Sequence, residues 1–386
     1  MKKTHSIVAL AAAGTLALAG CGGSSSDTEE TSSAAAPASA TDLSGVCPAT
    51  VTVQLDWEPE ADYAGIFAML GSDYKVDADA KRVTGSLVDG EGNDTGVDLQ
   101  IRSGGAAIGF QSVSSQMYVD KDILLGTVST DQAIAAAASQ PVVQVAATQR
   151  FSPYVLYWDP ETYPDVHTIA DLAAADVPIL VAKSTAFPDW LVGQGIIDRS
   201  ELDTSYDGTN ARFVSDPSIA VEGYATNTPY LLEKETPAWG KQVSYQLLKD
   251  VGYEMYPSAL SVRAEDVEAQ ADCLSALIPV YQSALKAYMA DPTTYNTAIV
   301  AIVDDYQSSW VYSQGVADYA AEQFKDEELV SNETDGTLGS FDMARQQRNI
   351  DSFASVLADS GADVPDGLTA DDIATTKFVD PSIALD

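Results

Sequence analysis

VQLDWEPEADYAGIFAM, residues 53–69, begins as a buried β-strand and then breaks into acids, a proline and aromatic rings. A turn is satisfied by small residues and has no need of Trp57 or Tyr63. In open α/β sheets ligands sit beyond the carboxyl ends of strands. A strand followed by Asp56, Trp57, Glu58, Glu60, Asp62 and Tyr63 therefore reads as one wall of a ligand cleft. The rings can stack on a flat ligand, and the carboxylates accept hydrogen bonds from ring or amino N–H groups. Core packing is the competing role for Trp57. For at least two of Asp56, Glu58 and Glu60 the default expectation is a solvated rim.

Outward from that stretch, strands and helices alternate. ATVTVQL, VDLQIRSG, PVVQVAATQ, YVLYW, PILVA and ARFVS read as strands. YAGIFAMLGS, TIADLAAA (with Thr168 as N-cap) and FPDWLVGQGI read as helices. AAIGFQ is a short apolar segment, and AVEGYATNTP is a loop approached from a short strand. This βαβ rhythm predicts parallel sheets in α/β layers. From Glu265 onward the pattern turns helical. Leu274, Leu277, Ile278, Tyr281, Leu285, Tyr288 and Met289 form one stripe, a core stripe by its spacing. Further helices are expected near 296–310, 314–327 and 340–359.

Composition narrows the function classes. Apolar residues make up 46% of the chain, normal for a globular core. The net charge of −37 excludes nucleic acid and anionic membrane surfaces as partners, since both require a basic footprint. Past the leader described next, His167 is the sole histidine. That removes most Ser–His and Cys–His mechanisms and most zinc sites. No P-loop, G-x-S-x-G or H-E-x-x-H occurs. Asp89–Asp94 looks briefly like a calcium loop, but it lacks Gly at the sixth position and has Gln100 where a bidentate Glu belongs. It reads as an exposed turn, and no catalytic residue, metal or cofactor is expected.

The N-terminus reads as an address. Lys2 and Lys3 precede an apolar run, Ile7–Ala19, too short to span a bilayer. It ends in Leu18-Ala19-Gly20-Cys21, which resembles the bacterial lipoprotein cleavage box. That resemblance implies a signal peptide over 1–20, lipid on Cys21 and a location on the extracytoplasmic face of the cell membrane. Residues 21–46, rich in Gly, Ser, Thr, Ala and Pro, read as a flexible tether. Cys47 and Cys273 then form an even pair in an oxidising compartment, and a disulfide between them is expected; two buried free thiols are the alternative.

Several stretches together resemble one family, the solute-binding proteins of ABC importers, in the branch for thiamine-pyrimidine precursors, nitrate, sulfonates and taurine. The carrying residues are Leu55-Asp56-Trp57-x-Pro59 with Tyr63, Gly65 and Phe67; Pro141-Val142-Val143-x-Val145-Ala146-Ala147; Ile169-x-Asp171-Leu172; Glu222-Gly223-Tyr224-Ala225-Thr226-Asn227-x-Pro229; and Phe378-Val379-Asp380-x-Ser382-Ile383. The resemblance implies a two-lobed α/β fold of the periplasmic-binding-protein type (type II), here with extra C-terminal helices. Lobe one would comprise 48–153 plus 258–386 and lobe two 154–257, hinged at RFSPY and YEMYPS. The acidic stretch 72–96 departs from the family pattern.

A small-molecule ligand, a permease partner and a monomeric receptor are implied. The candidate ligand contacts are Asp56, Trp57, Glu58, Tyr63, Gln111, Ser112, Tyr154, Ser184, Thr185, Phe187, Glu222, Tyr224 and Asn227. Tyr154 fits a ligand contact and an interlobe strut equally. The ligand expected is a nitrogenous heteroaromatic of the thiamine-pyrimidine-precursor kind. An anion binder would use Arg102, Arg150 or Lys183. A pyrimidine-synthase-like enzyme on the same fold would consume its own histidine, and His167 lies near a surface helix start rather than a cleft loop.

Overall fold

The computed structural model describes residues 41–386 apart from Ser184. The signal over 1–20, Cys21, the first part of the tether and Ser184 lie outside the described residues. The range read as tether includes packed residues. Leu43 is fully buried, and its N–H donates to the Thr95 carbonyl at 2.9 Å. It is the one large aliphatic side chain in that otherwise small and polar segment before Val46.

Among the described residues twelve strands form two sheets. They are β1 (Thr50–Gln54), β2 (Lys75–Asp77), β3 (Arg82–Val88), β4 (Asp94–Arg102), β5 (Leu125–Val128), β6 (Val142–Ala146), β7 (Tyr154–Trp158), β8 (Ile179–Leu180), β9 (Leu202–Asp203), β10 (Ala220–Tyr224), β11 (Ser244–Leu247) and β12 (Ala259–Arg263). The first sheet runs β2-β3-β4-β1-β5-β12-β6 and the second β11-β7-β10-β8-β9. β1 lies between β4 and β5, parallel to both. Its β-branched Val51, Thr52 and Val53 are buried on both faces, as a central parallel strand requires. Its carboxyl end delivers Asp56 to the sheet's edge.

The sheets are mixed rather than parallel. β12 returns from the second sheet and runs antiparallel to both β5 and β6. The departing stretch 72–96 builds an antiparallel edge from β2, β3 and β4, with Asp89–Asn93 as the exposed turn. β7 pairs antiparallel with β10 and β11. ARFVS is a helix, Ala211–Ser215, not a strand. Its one buried side chain, Phe213, packs edge-on against Tyr157 at 4.8 Å, and a single apolar anchor suits one helical turn.

Other elements follow the sequence reading. Thr168 caps Ile169–Ala174 through a capping box with Asp171. Helices Ala271–Ala290, Thr293–Tyr306, Gln314–Asp326 and Met343–Asp359 fill the C-terminal region. The stripe from Leu274 to Met289 is buried. Cys47 and Cys273 are disulfide-bonded, with a Cα–Cα separation of 4.7 Å. Among the described residues no helix is long and apolar enough to cross a membrane.

Candidate functional site

The two sheets are joined by chain segments after β6 and before β12. These segments touch where Thr148 donates its hydroxyl to the Pro257 carbonyl at 3.0 Å. The β1 loop reaches the same region. Two distant contacts prop it from behind: Trp310 donates Nε1–H to the Pro59 carbonyl at 3.2 Å, and the Ala61 N–H donates to the Tyr312 hydroxyl at 3.0 Å. Gly104 allows the loop to sit this close. A Cβ there would lie 2.3 Å from the Asp56 carbonyl carbon.

Asp56 is held by hydroxyls. Tyr63 donates to Oδ1 at 3.0 Å, Ser258 donates to Oδ2 at 3.0 Å, and Thr127 also donates to Oδ1. Ser258 adopts φ 43°, a costly left-handed conformation for a residue other than glycine. Burial pushes the Asp56 carboxyl up despite these donors. Asp62 accepts from Gln149 Nε2 at 2.6 Å and from Thr226 Oγ1 at 3.2 Å. Burial raises it to about 6. Glu60 is pushed well above the usual carboxylate range by burial first, then by Asp62 and Asp56. All three keep some accessible surface. Asp62 bridges the two sheets, since Thr226 follows β10 in the second sheet and Gln149 follows β6 in the first.

Facing these acids is a set from the second sheet and its loops. Tyr154 and Tyr224 have ring centroids 4.8 Å apart, and the Tyr224 hydroxyl donates to that of Tyr154 at 3.3 Å. Phe187 lies 5.5 Å from Tyr154. Glu222 accepts the Ala182 N–H at 2.9 Å and the Thr185 hydroxyl at 3.4 Å. Burial lifts its carboxyl to about 7. The charges of Asp56 and Glu60 act on Tyr154 and Tyr224, respectively. Asp131, after β5, accepts from Ser129 and feels Asp56 in turn.

Behind the site lies a different carboxylate. Glu333 accepts from Arg345 Nη2 at 2.7 Å, from Arg150 Nε at 3.2 Å and from the Tyr256 hydroxyl at 2.6 Å. Arg345 also donates to the Arg150 carbonyl at 3.1 Å and sits 3.9 Å from the Tyr256 ring centroid. Arg150 and Tyr256 belong to the two connecting segments, so this cluster ties both to the C-terminal region.

The candidates separate into those brought together and those not. Asp56, Tyr63, Tyr154, Thr185, Phe187, Glu222 and Tyr224 converge. Trp57 is 37% exposed and stands at the rim, its ring 6.1 Å from both Phe110 and Trp310. Glu58 is buried at 6% exposure and turns toward Ser103 and Lys81; burial raises its carboxyl and Lys81 opposes the shift. None of Asp56, Glu58 and Glu60 is a fully solvated rim group, contrary to the default expectation. Gln111 and Ser112 are exposed and locally engaged: Gln111 accepts from Gln116 at 2.7 Å, and Ser112 caps Val113–Val119. Asn227 accepts from the adjacent Thr228 hydroxyl.

Of the basic residues considered for an anion, Arg102 is paired with Asp120 and Arg150 with Glu333, while Lys183 lies on an exposed turn. Among the described residues, no group of three or more His, Cys, Asp or Glu side chains is placed to hold a metal ion. His167 is exposed. The sequence reading placed Asp62 in the cleft wall without naming it among the candidate contacts, and Gln149, Thr226, Asp131 and Ser258 were not among those candidates either. Gln149 and Asp131 were findable by the strand-end rule, since each lies three positions past the end of a strand of the first sheet.

No known family's sequence profile and no curated protein matches the chain. Solved structures do. The protein described as the periplasmic sulfonate-binding protein SsuA of Methylobacillus flagellatus KT is 12% identical, with a TM-score of 0.54 over 85% of this chain and 92% of that one. The periplasmic nitrate-binding protein NrtA of Synechocystis PCC 6803 is 12% identical, with 0.52 over 86% and 87%. The ligand-binding component of an ABC-type import system from Staphylococcus aureus, with zinc bound, is 12% identical, with 0.51 over 86% and 99%. The chain therefore has the α/β fold of periplasmic binding proteins.

Proposed function

We propose that this chain is the extracytoplasmic solute-binding component of an ABC importer, anchored at the membrane by lipid on Cys21. It captures a small nitrogenous heteroaromatic, of the thiamine-pyrimidine-precursor kind, by closing lobe one (48–153 with 258–386) on lobe two (154–257). The observation that carries this reading is the placement of Asp62. Its carboxylate accepts from Thr226 of one lobe and Gln149 of the other, beside the Tyr154–Tyr224 pair. A flat ligand between carboxylates and tyrosine faces contacts both lobes at once.

Such contacts favour the shut state, which a permease in the membrane recognises. The ring stacks on tyrosine while amino groups donate to carboxylate oxygens. The chain acts as a monomer and performs no chemistry. Anion capture is disfavoured because the groups around the site are acids and hydroxyls, and Arg102 and Arg150 already have partners.

Thermal-shift screening of the purified chain tests the reading. A ligand at a hundredfold its dissociation constant stabilises the protein by about 2.7 kcal/mol. Aminopyrimidines are expected to raise the midpoint, while nitrate and alkanesulfonates leave it in place. The reverse pattern refutes the heteroaromatic assignment.

A further inference from the structure

Asp56, Glu60 and Asp62 meet between the lobes without a cation. Among the described residues none of them enters an ion pair, and the main influences on them are burial, hydrogen bonds and like charges. Asp56 has three hydroxyl donors, and Asp62 has an amide and a hydroxyl. Glu60 has none, and its surroundings add only burial and two like charges. Desolvated carboxylates at close quarters resist ionisation unless positive charge arrives.

A second observation does not depend on charge. Gln149 is 3% exposed, spends its Nε2 on Asp62, and leaves its Oε1 acceptor with no partner. Buried polar atoms are seldom left so, and one touching a ligand-facing carboxylate marks a place where a donor is missing. The spot therefore presents acceptors and lacks donors, with the tyrosine pair opposite. Carboxylates with aromatic faces form the setting that holds ammonium groups.

We propose that the ligand is bound as a cation: a protonated amine or amidine donates N–H to Glu60, to Asp62 and to the free oxygen of Gln149, with its apolar part against Tyr154 and Tyr224. This rests on the solute-receptor reading and sharpens it to a charge class. Arrival of the cation favours the ionised forms of Glu60 and Asp62, so binding at about pH 6, where Asp62 is part-protonated, releases protons to solvent.

The test is calorimetric titration of the full chain with three probes, each in two buffers of different ionisation enthalpy. The probes are an aminopyrimidine bearing an aminomethyl arm, its hydroxymethyl counterpart, and putrescine, a ringless diamine. The aminomethyl compound is expected to bind about tenfold or more tighter than the hydroxymethyl one, with proton release. The Glu60→Gln/Asp62→Asn double variant is expected to lose both the ratio and the release. Its unliganded melting midpoint, at or above that of the parent, shows that it folds.

Equal or tighter binding of the hydroxymethyl compound overturns the inference and leaves the receptor reading intact. Putrescine binding alone, lost in the double variant, supports the cation and defeats the heteroaromatic assignment. Binding of neither cation, or a double variant that binds like the parent, overturns the inference.

Discussion

Glu333 and Asp62 are both carboxylates set deep in this fold, and their surroundings are opposite. Glu333 has two guanidinium partners and a tyrosine hydroxyl, so its charge is matched by the protein itself. Asp62 has an amide and a hydroxyl, with Glu60 and Asp56 as further negative neighbours. The first cluster is complete and pins the connecting segments to the C-terminal region. The second is incomplete. On the proposed reading the difference separates a carboxylate that serves the fold from one that serves a ligand: burial is common to both, and what counts is whether the chain supplies the counter-charge.

The largest effect that would break this contrast is on stability. Arg345→Ala strips Glu333 of its more buried guanidinium partner and is expected to cost about 3–5 kcal/mol, read from denaturant unfolding. Glu60→Gln removes a charge that has no partner and is expected to leave stability unchanged or higher. Comparable losses in the two variants would erase the distinction.

A smaller effect appears in the pH profile. Asp62 sits at about 6 and Glu222 at about 7 in the folded chain, above their ordinary unfolded values. Between those limits the folded state binds more protons than the unfolded state. Stability of the empty protein therefore falls as pH rises from about 4 toward 7, by up to about 1.4 kcal/mol per pH unit for each group. Melting curves across that range check the sign. A saturating cation is expected to flatten the slope, and a rise in stability over the window would contradict the assignment.

Thr226→Val sharpens the comparison at the level of one bond. It removes the second-lobe donor to Asp62 and is expected to cost about 0.5–1.5 kcal/mol in stability, with weaker ligand binding measured by titration. Trp57→Ala is expected to cost the least. The rim indole loses only its contacts with Phe110 and Trp310, about 0.5–1.5 kcal/mol for an aromatic pair. A large loss of affinity in that variant would move the binding wall outward to the rim.

How far the sequence could be read depended on the range of each interaction. Thr168 announced its helix because cap and partner lie three residues apart. The Cys47–Cys273 bond was legible from counting and compartment, since little else can pair. ARFVS misled because β-propensity is weak against a turn and one buried ring. The strand-end rule pointed to Asp56 and Tyr224, which lie at the carboxyl ends of β1 and β10, whereas Tyr154, the first residue of β7, was marked by its place at the hinge. The rule failed at Glu58, whose direction is set by Lys81 and Ser103, and by a loop held from Trp310 and Tyr312. Those partners lie far along the chain, and nothing near Glu58 distinguishes it from Glu60 or Asp62. Gln149 was missed because a glutamine after a strand carries no signal until its neighbour is known.

The most direct measurement is the titration of one carboxyl carbon. With carboxyl-labelled aspartate and the Asp62→Asn variant for assignment, carbon NMR reads the Asp62 midpoint in the empty protein and at saturation with the aminomethyl compound. The account predicts a midpoint near 6 in the empty protein and a clear fall on binding. An ordinary carboxylate midpoint in the empty protein, unchanged by the ligand, would contradict it.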